Sequence, residues 1–167
     1  MLKRISLYLF VAVLAVALAA CGGNGDDAAD DTDPMDFSQQ DEAEVTIQPV
    51  GDQMQFEQTE FTVRAGQSVT ITMDNIATSP AMVHNVLVVN TNDDDVVSRV
   101  ANAALDAGED ADYIPDDDAV LASTAQAGPG EVTEVTFTAP DEPGEYTYIC
   151  TYPGHYTAMV GTMVVVE

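Results

Sequence analysis

Beyond about residue 44 the chain alternates apolar and polar positions with period two. Val69, Ile71 and Met73 alternate with Thr70 and Thr72, and Val135 and Phe137 alternate with Glu134 and Thr136. Met54 and Phe56 alternate in the same way with Gln53 and Gln55. Each run predicts a strand with one buried face, because successive side chains point to opposite sides of a sheet. Residues 85–89 and 161–166 are more continuously apolar, as inner strands would be. Turn formers at Ala65-Gly66, Gly128-Pro129-Gly130 and Glu142-Pro143-Gly144 separate the runs. Short strands at this spacing predict an all-β Greek-key β-sandwich of about eight strands. One short helical insertion interrupts it over residues 93–108, where Val96, Val97, Val100 and Ala104 recur at helical spacing. Asp93 to Asp95 favour its N-terminus and Gly108 its stop, and an irregular acidic loop follows through Asp118.

The N-terminal region has a different texture. Lys3 and Arg4 precede an apolar run over residues 5–18, too short to span a bilayer comfortably and laid out as a secretory signal. It ends Leu18-Ala19-Ala20-Cys21-Gly22, which resembles the bacterial lipobox, where cleavage before a cysteine is followed by its lipidation. Residues 1–20 are therefore expected to be a lipoprotein signal peptide and Cys21 the lipid-bearing residue. The protein is then exported to the periplasmic or cell-surface side and anchored to a membrane. Residues 21–43, rich in Asp, Gly and Ala, read as a disordered acidic tether that self-repulsion keeps extended. Residues 44–167 form the folded domain.

Charge narrows the function. The 167 residues carry 29 acidic and 4 basic side chains, a formal charge of −25. No basic face for phosphates can be built from four cations, so nucleic acid is excluded as a partner. Loss of Lys3 and Arg4 with the signal takes −25 to −27 and leaves Arg64 and Arg99 as the only bases. Two cysteines and two histidines allow at most one ordinary soft-metal site and no disulfide framework.

Those few residues are grouped. Cys150-Thr151-Tyr152-Pro153-Gly154-His155 is followed by Met159, and Pro153-Gly154 supplies the turn needed to fold His155 back toward Cys150. His84 stands in Met82-Val83-His84-Asn85, at the start of an apolar strand. If that strand neighbours the one ending at Cys150, all four side chains meet at one end of the sandwich. One thiolate, two imidazoles and a thioether suit copper in a trigonal site with a long axial Met. Zinc is the chemical rival, although structural zinc usually takes four strong ligands. A nucleophilic Cys–His pair is another reading, but no orienting motif accompanies it. Hydrolase, zincin, P-loop and dinucleotide signatures are missing from the sequence. Copper enzymes need further histidine-rich centres, and both histidines are already used.

Residues 45–167 resemble the azurins, small bacterial cupredoxins, and the related auracyanins. The likeness is carried by Gly51-Asp52-Gln53-Met54-Gln55-Phe56, by Met82-Val83-His84-Asn85, by Cys150 to His155 with Met159, and by the acidic loop Asp112-Tyr113-Ile114-Pro115-Asp116-Asp117. The resemblance implies copper held equatorially by His84, Cys150 and His155 and axially by Met159. The carbonyl of the residue before the first histidine, here Val83, would be a second weak ligand. Asn85 would pin the two ligand strands together, with Thr151 as its neighbour. His155 would show its edge at the surface within an apolar docking patch drawn from Met54, Met82, Pro153 and Tyr156.

The sequence therefore predicts a membrane-tethered electron shuttle with a single type-1 copper, and no enzymatic activity. Its partners would be redox proteins such as c-type cytochromes, or a copper or haem reductase or oxidase. The competing reading is a copper-binding or chaperone module without redox turnover, which would exchange copper rapidly. The acidity itself reads as adaptation to high, halophilic ionic strength, since a Debye length of about 3 Å at 1 M salt screens the self-repulsion. The thermal midpoint of the mature protein is accordingly expected to rise between dilute buffer and molar salt. A flat or falling midpoint in a salt series would reject that adaptation.

Overall fold

A computed structural model describes residues 35–167. The expected signal peptide, Cys21 and the first part of the expected tether lie outside the described residues.

Among the described residues nine strands form two sheets. They are β1 (Met35–Asp36), β2 (Glu42–Ile47), β3 (Glu60–Arg64), β4 (Ser68–Asp74), β5 (Leu87–Val89), β6 (Val120–Ser123), β7 (Val132–Thr138), β8 (Gly144–Ile149) and β9 (Val160–Val166). The larger sheet runs β1-β3-β9-β8-β5-β6 and the smaller β2-β4-β7. The alternation seen in the sequence sets which faces meet. Ala43, Val45 and Ile47 of β2 and Val69, Ile71 and Met73 of β4 face Phe61, Val63, Met163 and Val165 of the other sheet in one buried cluster. β9, expected as an inner strand, alternates buried and half-buried positions.

Two expectations about the chain's course need correction. The alternation over Gln53 to Phe56 forms no strand. Residues 51–57 are a series of turns closed by a bridge between Pro49 and Phe56, so Phe56 is buried while Met54 stays 45% exposed. The period-two pattern there reflects one buried anchor and one surface methionine. The ordered domain also begins before the expected boundary at residue 44. β1 pairs in parallel with β3 through Met35↔Phe61 and Asp36↔Thr62. The turn after it is tied down by the buried Gln67 side chain, which donates to the carbonyls of Phe37 (2.9 Å) and Gln40 (3.0 Å), and by Arg64, which donates to Ser38 O at 2.7 Å. Met35 and Phe37 pack on the core, enough apolar anchoring to order a segment that composition alone reads as tether.

The insertion follows its expected bounds closely. Helix α1 spans Asp94–Ala107, with the Asp93 carboxylate accepting from the N–H groups of Asp95 and Val96 and with Gly108 ending it at φ 76°. Its buried face, Val97, Val100 and Ala101, packs on Leu87, Val89 and Ile149 in a second cluster.

β8 and β9 meet at a contact that leaves no room for a side chain. Tyr148 pairs with Gly161, and its ring lies between Phe56 and Phe61 at centroid distances of 5.5 and 5.6 Å. Its hydroxyl donates to Gln58 O at 2.6 Å. A Cβ on Gly161 would fall 2.1 Å from Cζ of this fixed ring. Gly161→Ala should therefore lower the unfolding free energy by about 1–3 kcal/mol, the usual cost of overpacking. In urea titrations Gly144→Ala, whose added methyl meets only Cε2 of Tyr146 at 3.9 Å, serves as the near-neutral control. Equal midpoints for the two variants would refute the steric argument.

Candidate metal centre

The pairing of β5 with β8 assembles the site. Leu87 stands opposite Ile149 and Val88 opposite Tyr148, so the chain entering β5 and the chain leaving β8 emerge side by side at one end of the sandwich. His84 is fixed on its other side by a two-way backbone bridge to Ala127, with N–H···O distances of 3.0 and 2.8 Å. His155 returns on the turn after Cys150. That turn is closed from within: His155 N–H donates to Tyr152 O (3.0 Å), Met159 N–H to His155 O (2.9 Å) and Cys150 N–H to Met159 O (3.1 Å).

The result is one sulfur and two imidazoles, with one donor atom from each lying within 4.8 Å of the others. Cys150 Sγ is 3.9 Å from His84 Nδ1 and 3.7 Å from His155 Nδ1. Donors bound to one ion at roughly 2.0–2.3 Å in a trigonal plane stand roughly 3.5–3.8 Å apart, so the three residues fit a single metal. Both rings turn Nδ1 toward the sulfur, and the other nitrogen of His84, Nε2, is buried without a hydrogen-bond partner among the described residues.

Burial also sets the protonation of the donors. It pushes the Cys150 thiol up to about 11, although backbone N–H groups of Asn85 and Tyr152 hydrogen-bond the sulfur and pull the other way. Burial, helped by the neighbouring His155, takes His84 down to about 4. Burial lowers His155 as well. Without metal the site therefore holds a protonated thiol between two neutral rings, since a thiolate with no cation beside it is expensive to bury.

A hydrogen-bonded pair bridges the loops that carry the ligands. Asn85 Nδ2 donates to Thr151 Oγ1 at 2.8 Å, and Thr151 N–H donates to Asn85 Oδ1 at 2.8 Å. Met159 is fully buried in the core beneath the turn. Val83 is half-buried, and no hydrogen bond around the site among the described residues uses its carbonyl. Of the four expected patch residues, Pro153 and Met54 are exposed and Met82 is half-covered. Tyr156 is half-buried against the second cluster, so it is part of the packing as well as the surface. His155 is 4% exposed.

Three further residues hold the site in place without being visible in the sequence. Asn75, fully buried just after β4, donates to Met82 O (2.7 Å) and Ala127 O (2.8 Å) and so fixes both segments that flank His84. Thr124 Oγ1 accepts from Val86 N–H at 3.1 Å. Asp52 accepts from the N–H groups of Thr78 and Ser79, at 2.7 and 2.9 Å, and from the Thr78 hydroxyl at 2.8 Å. Those bonds, led by that from Ser79, hold its carboxyl below the usual range. An isolated Asn, Thr or Asp in a loop carries no periodicity, so only the folded positions reveal what these residues join.

Comparison with known proteins agrees with the site. The profile of the family described as "Copper binding proteins, plastocyanin/azurin family" matches residues 43–166. Auracyanin-A of Chloroflexus aurantiacus is 38% identical over 163 residues, 97% of this chain and 96% of that protein. Azurin of Alcaligenes faecalis is 35% identical over 67% of this chain and 90% of its own length. The solved structure of auracyanin A, described as a "blue" copper protein, superposes with a TM-score of 0.68 at 42% identity, covering 74% of this chain and 98% of that one.

Protonation gives the site a signature. At pH 7 both imidazoles are already neutral and only the thiol must ionise to bind. Uptake of one Cu(II) is therefore expected to release about one proton. Calorimetric titration in buffers of different ionisation enthalpy measures this number, and a value near zero or two would contradict the protonation states described.

Proposed function

Because this chain belongs to the plastocyanin/azurin family of copper-binding proteins, we propose that it is a one-electron carrier, and not an enzyme, working through a single type-1 copper ion. The observation that carries this reading is the buried grouping of one sulfur and two imidazole nitrogens within 4.8 Å. Copper supplies the chemistry by alternating between Cu(I) and Cu(II). Every other part of the task falls to the chain. Cys150, His84 and His155 would hold the ion, with the Met159 thioether and the Val83 carbonyl as weaker ligands. Asn85 and Thr151 keep the two ligand loops at fixed separation, which limits how far the donors move when the charge changes. The backbone N–H groups of Asn85 and Tyr152 stabilise negative charge on the Cys150 sulfur. No group at the site needs to gain or lose a proton as the electron passes, since both rings are neutral and the thiol ionises once, on loading.

Electron exchange is assigned to the end of the sandwich where His155 lies. Exposed Val160 pairs with Ile149 beside Cys150, exposed Val132 pairs with Asp74 close to exposed Ile76, and Met54 is exposed in the loop closed by Pro49 and Phe56. With Met82, Pro153 and Tyr156 they supply an apolar face suited to brief, low-area docking. Its partners would be other redox proteins, such as c-type cytochromes or a copper or haem reductase or oxidase. Export and lipid anchoring through Cys21 complete the reading. They are supported by the lipobox and by a similarity to auracyanin-A that extends over 97% of this chain. Use as a copper chaperone fits less well, because His84 and Cys150 are wholly buried and a transfer protein needs ligands that an acceptor can reach.

Loading the mature protein with Cu(II) is expected to produce an intense visible thiolate-to-copper band, bleached by reductant and restored by oxidant. Cys150→Ser should bind copper without it. A colourless copper-loaded wild type, or a copper that cannot be cycled, would rule out the electron-carrier reading.

A further inference from the structure

The turn that carries His155 has little of the protein around it. Residues 151–159 contain no strand, and Pro153, Gly154, Thr157 and Ala158 are exposed. Apart from the Thr151–Asn85 bonds at its start, the hydrogen bonds that shape the turn are internal to it. His155 itself touches two rings, His84 at a centroid distance of 5.0 Å and Tyr152 at 4.9 Å. What stands behind Tyr152 therefore decides how firmly the ligand is held.

Behind it is the loop that follows α1. Tyr113 meets Tyr152 edge-on, with centroids 5.8 Å apart and planes at 76°, the arrangement favoured by the ring quadrupoles. On the other side of His155, Tyr156 packs with Ile114 of the same loop against the cluster beneath α1. Two aromatic residues of the ligand turn, one before His155 and one after, thus meet structure contributed by residues 94–118, and Tyr152 packs on the main core as well. The loop adopts an unfavourable backbone to do this. Asp112 and Tyr113 lie in the left-handed region at φ 50° and 53° although neither is glycine, a conformation L side chains adopt at a cost. Hydrogen bonds hold the conformation: Tyr113 N–H donates to Gly108 O (3.0 Å), Ile114 N–H to Ala111 O (2.8 Å) and Gln126 Nε2 to Asp112 O (2.9 Å).

We propose that Tyr113 is a positioning residue for His155, bracing the ligand turn through Tyr152. The helical insertion is then a support for the copper site, placed outside the strands that supply the ligands. The inference rests on the copper reading above. Without the brace the turn opens more often, so water reaches His155 and copper leaves more readily. Greater access of water favours the higher charge of Cu(II), so the reduction potential falls. The contact is ring against ring, and none of the hydrogen bonds of the described residues uses the Tyr113 hydroxyl, so that hydroxyl is dispensable.

The test compares wild type with Tyr113→Phe, Tyr113→Leu and Tyr113→Ala in the mature protein. Three readouts are used: transfer of Cu(I) to excess bathocuproine, the reduction potential, and amide hydrogen exchange of residues 152–158 in the copper-free protein. Tyr113→Ala and Tyr113→Leu are expected to release copper about two- to tenfold faster, the range an aromatic pair contributes, with a lower potential and faster exchange. Tyr113→Phe should match wild type on all three. If Tyr113→Ala fails to fold, Tyr113→Leu, which keeps apolar volume without a ring edge, takes its place. Unchanged release, potential and exchange in the folded variant would overturn the proposal, as would a Tyr113→Phe variant as perturbed as Tyr113→Ala. A wild type that never forms a redox-active blue site would instead remove the copper reading, while exchange in the copper-free protein would still decide whether Tyr113 braces the turn.

Discussion

The complete burial of Cys150 is the constraint around which the site is organised. A thiolate in the interior of a chain with a formal charge of −25 has no buried side-chain cation among the described residues to offset it. The ion it binds must supply that charge. The protein contributes what a low-dielectric interior can: two backbone N–H groups aimed at the sulfur and two imidazoles kept neutral by the same burial. The register of β5 against β8 puts Cys150 in this position, and the Asn85–Thr151 pair maintains it. Exposing the sulfur would ease its ionisation but give water access to the metal.

The fold and the three strong donors were legible in the sequence because each leaves a local or compositional mark. Val69, Ile71 and Met73 declare a buried strand face by their spacing. Cys150, His84 and His155 stand out because the chain has so few residues of their kind, and Asp93 and Gly108 bracket α1 with the right chemistry at each end. The misreadings came from patterns too short to distinguish alternatives. Gln53 to Phe56 alternates over four residues, which a turn with one buried ring satisfies as well as a strand does. Phe37 and Met35 sit in an acidic, polar stretch, and their anchoring depends on Gln67 and Arg64, about thirty residues distant. Asn75 and Tyr113 were illegible for a related reason, since their importance lies wholly in what the fold brings beside them.

The acidic side chains and the metal site divide the molecule. Among the described residues Arg99 is ion-paired with Asp117, and Arg64 hydrogen-bonds a carbonyl. Most of the other described carboxylates are exposed, though some accept hydrogen bonds, Asp52 from backbone N–H groups and half-buried Asp74 from Gln48. Among the described residues no carboxylate joins the three donors at the centre. Charge and chemistry thus occupy different parts of the structure, and the surface can be adapted to its medium without altering the metal's surroundings.

The two-residue strand β1 bears on how the protein behaves in company. It lies along β3, whose backbone N–H and C=O groups would otherwise line the rim of the larger sheet, and at the opposite rim β6 is only four residues long. A rim covered by so brief a segment offers a neighbouring chain almost no length to zip against. The larger sheet is therefore a poor template for a neighbouring chain at either rim, and a chain trimmed to begin at residue 44 would uncover β3.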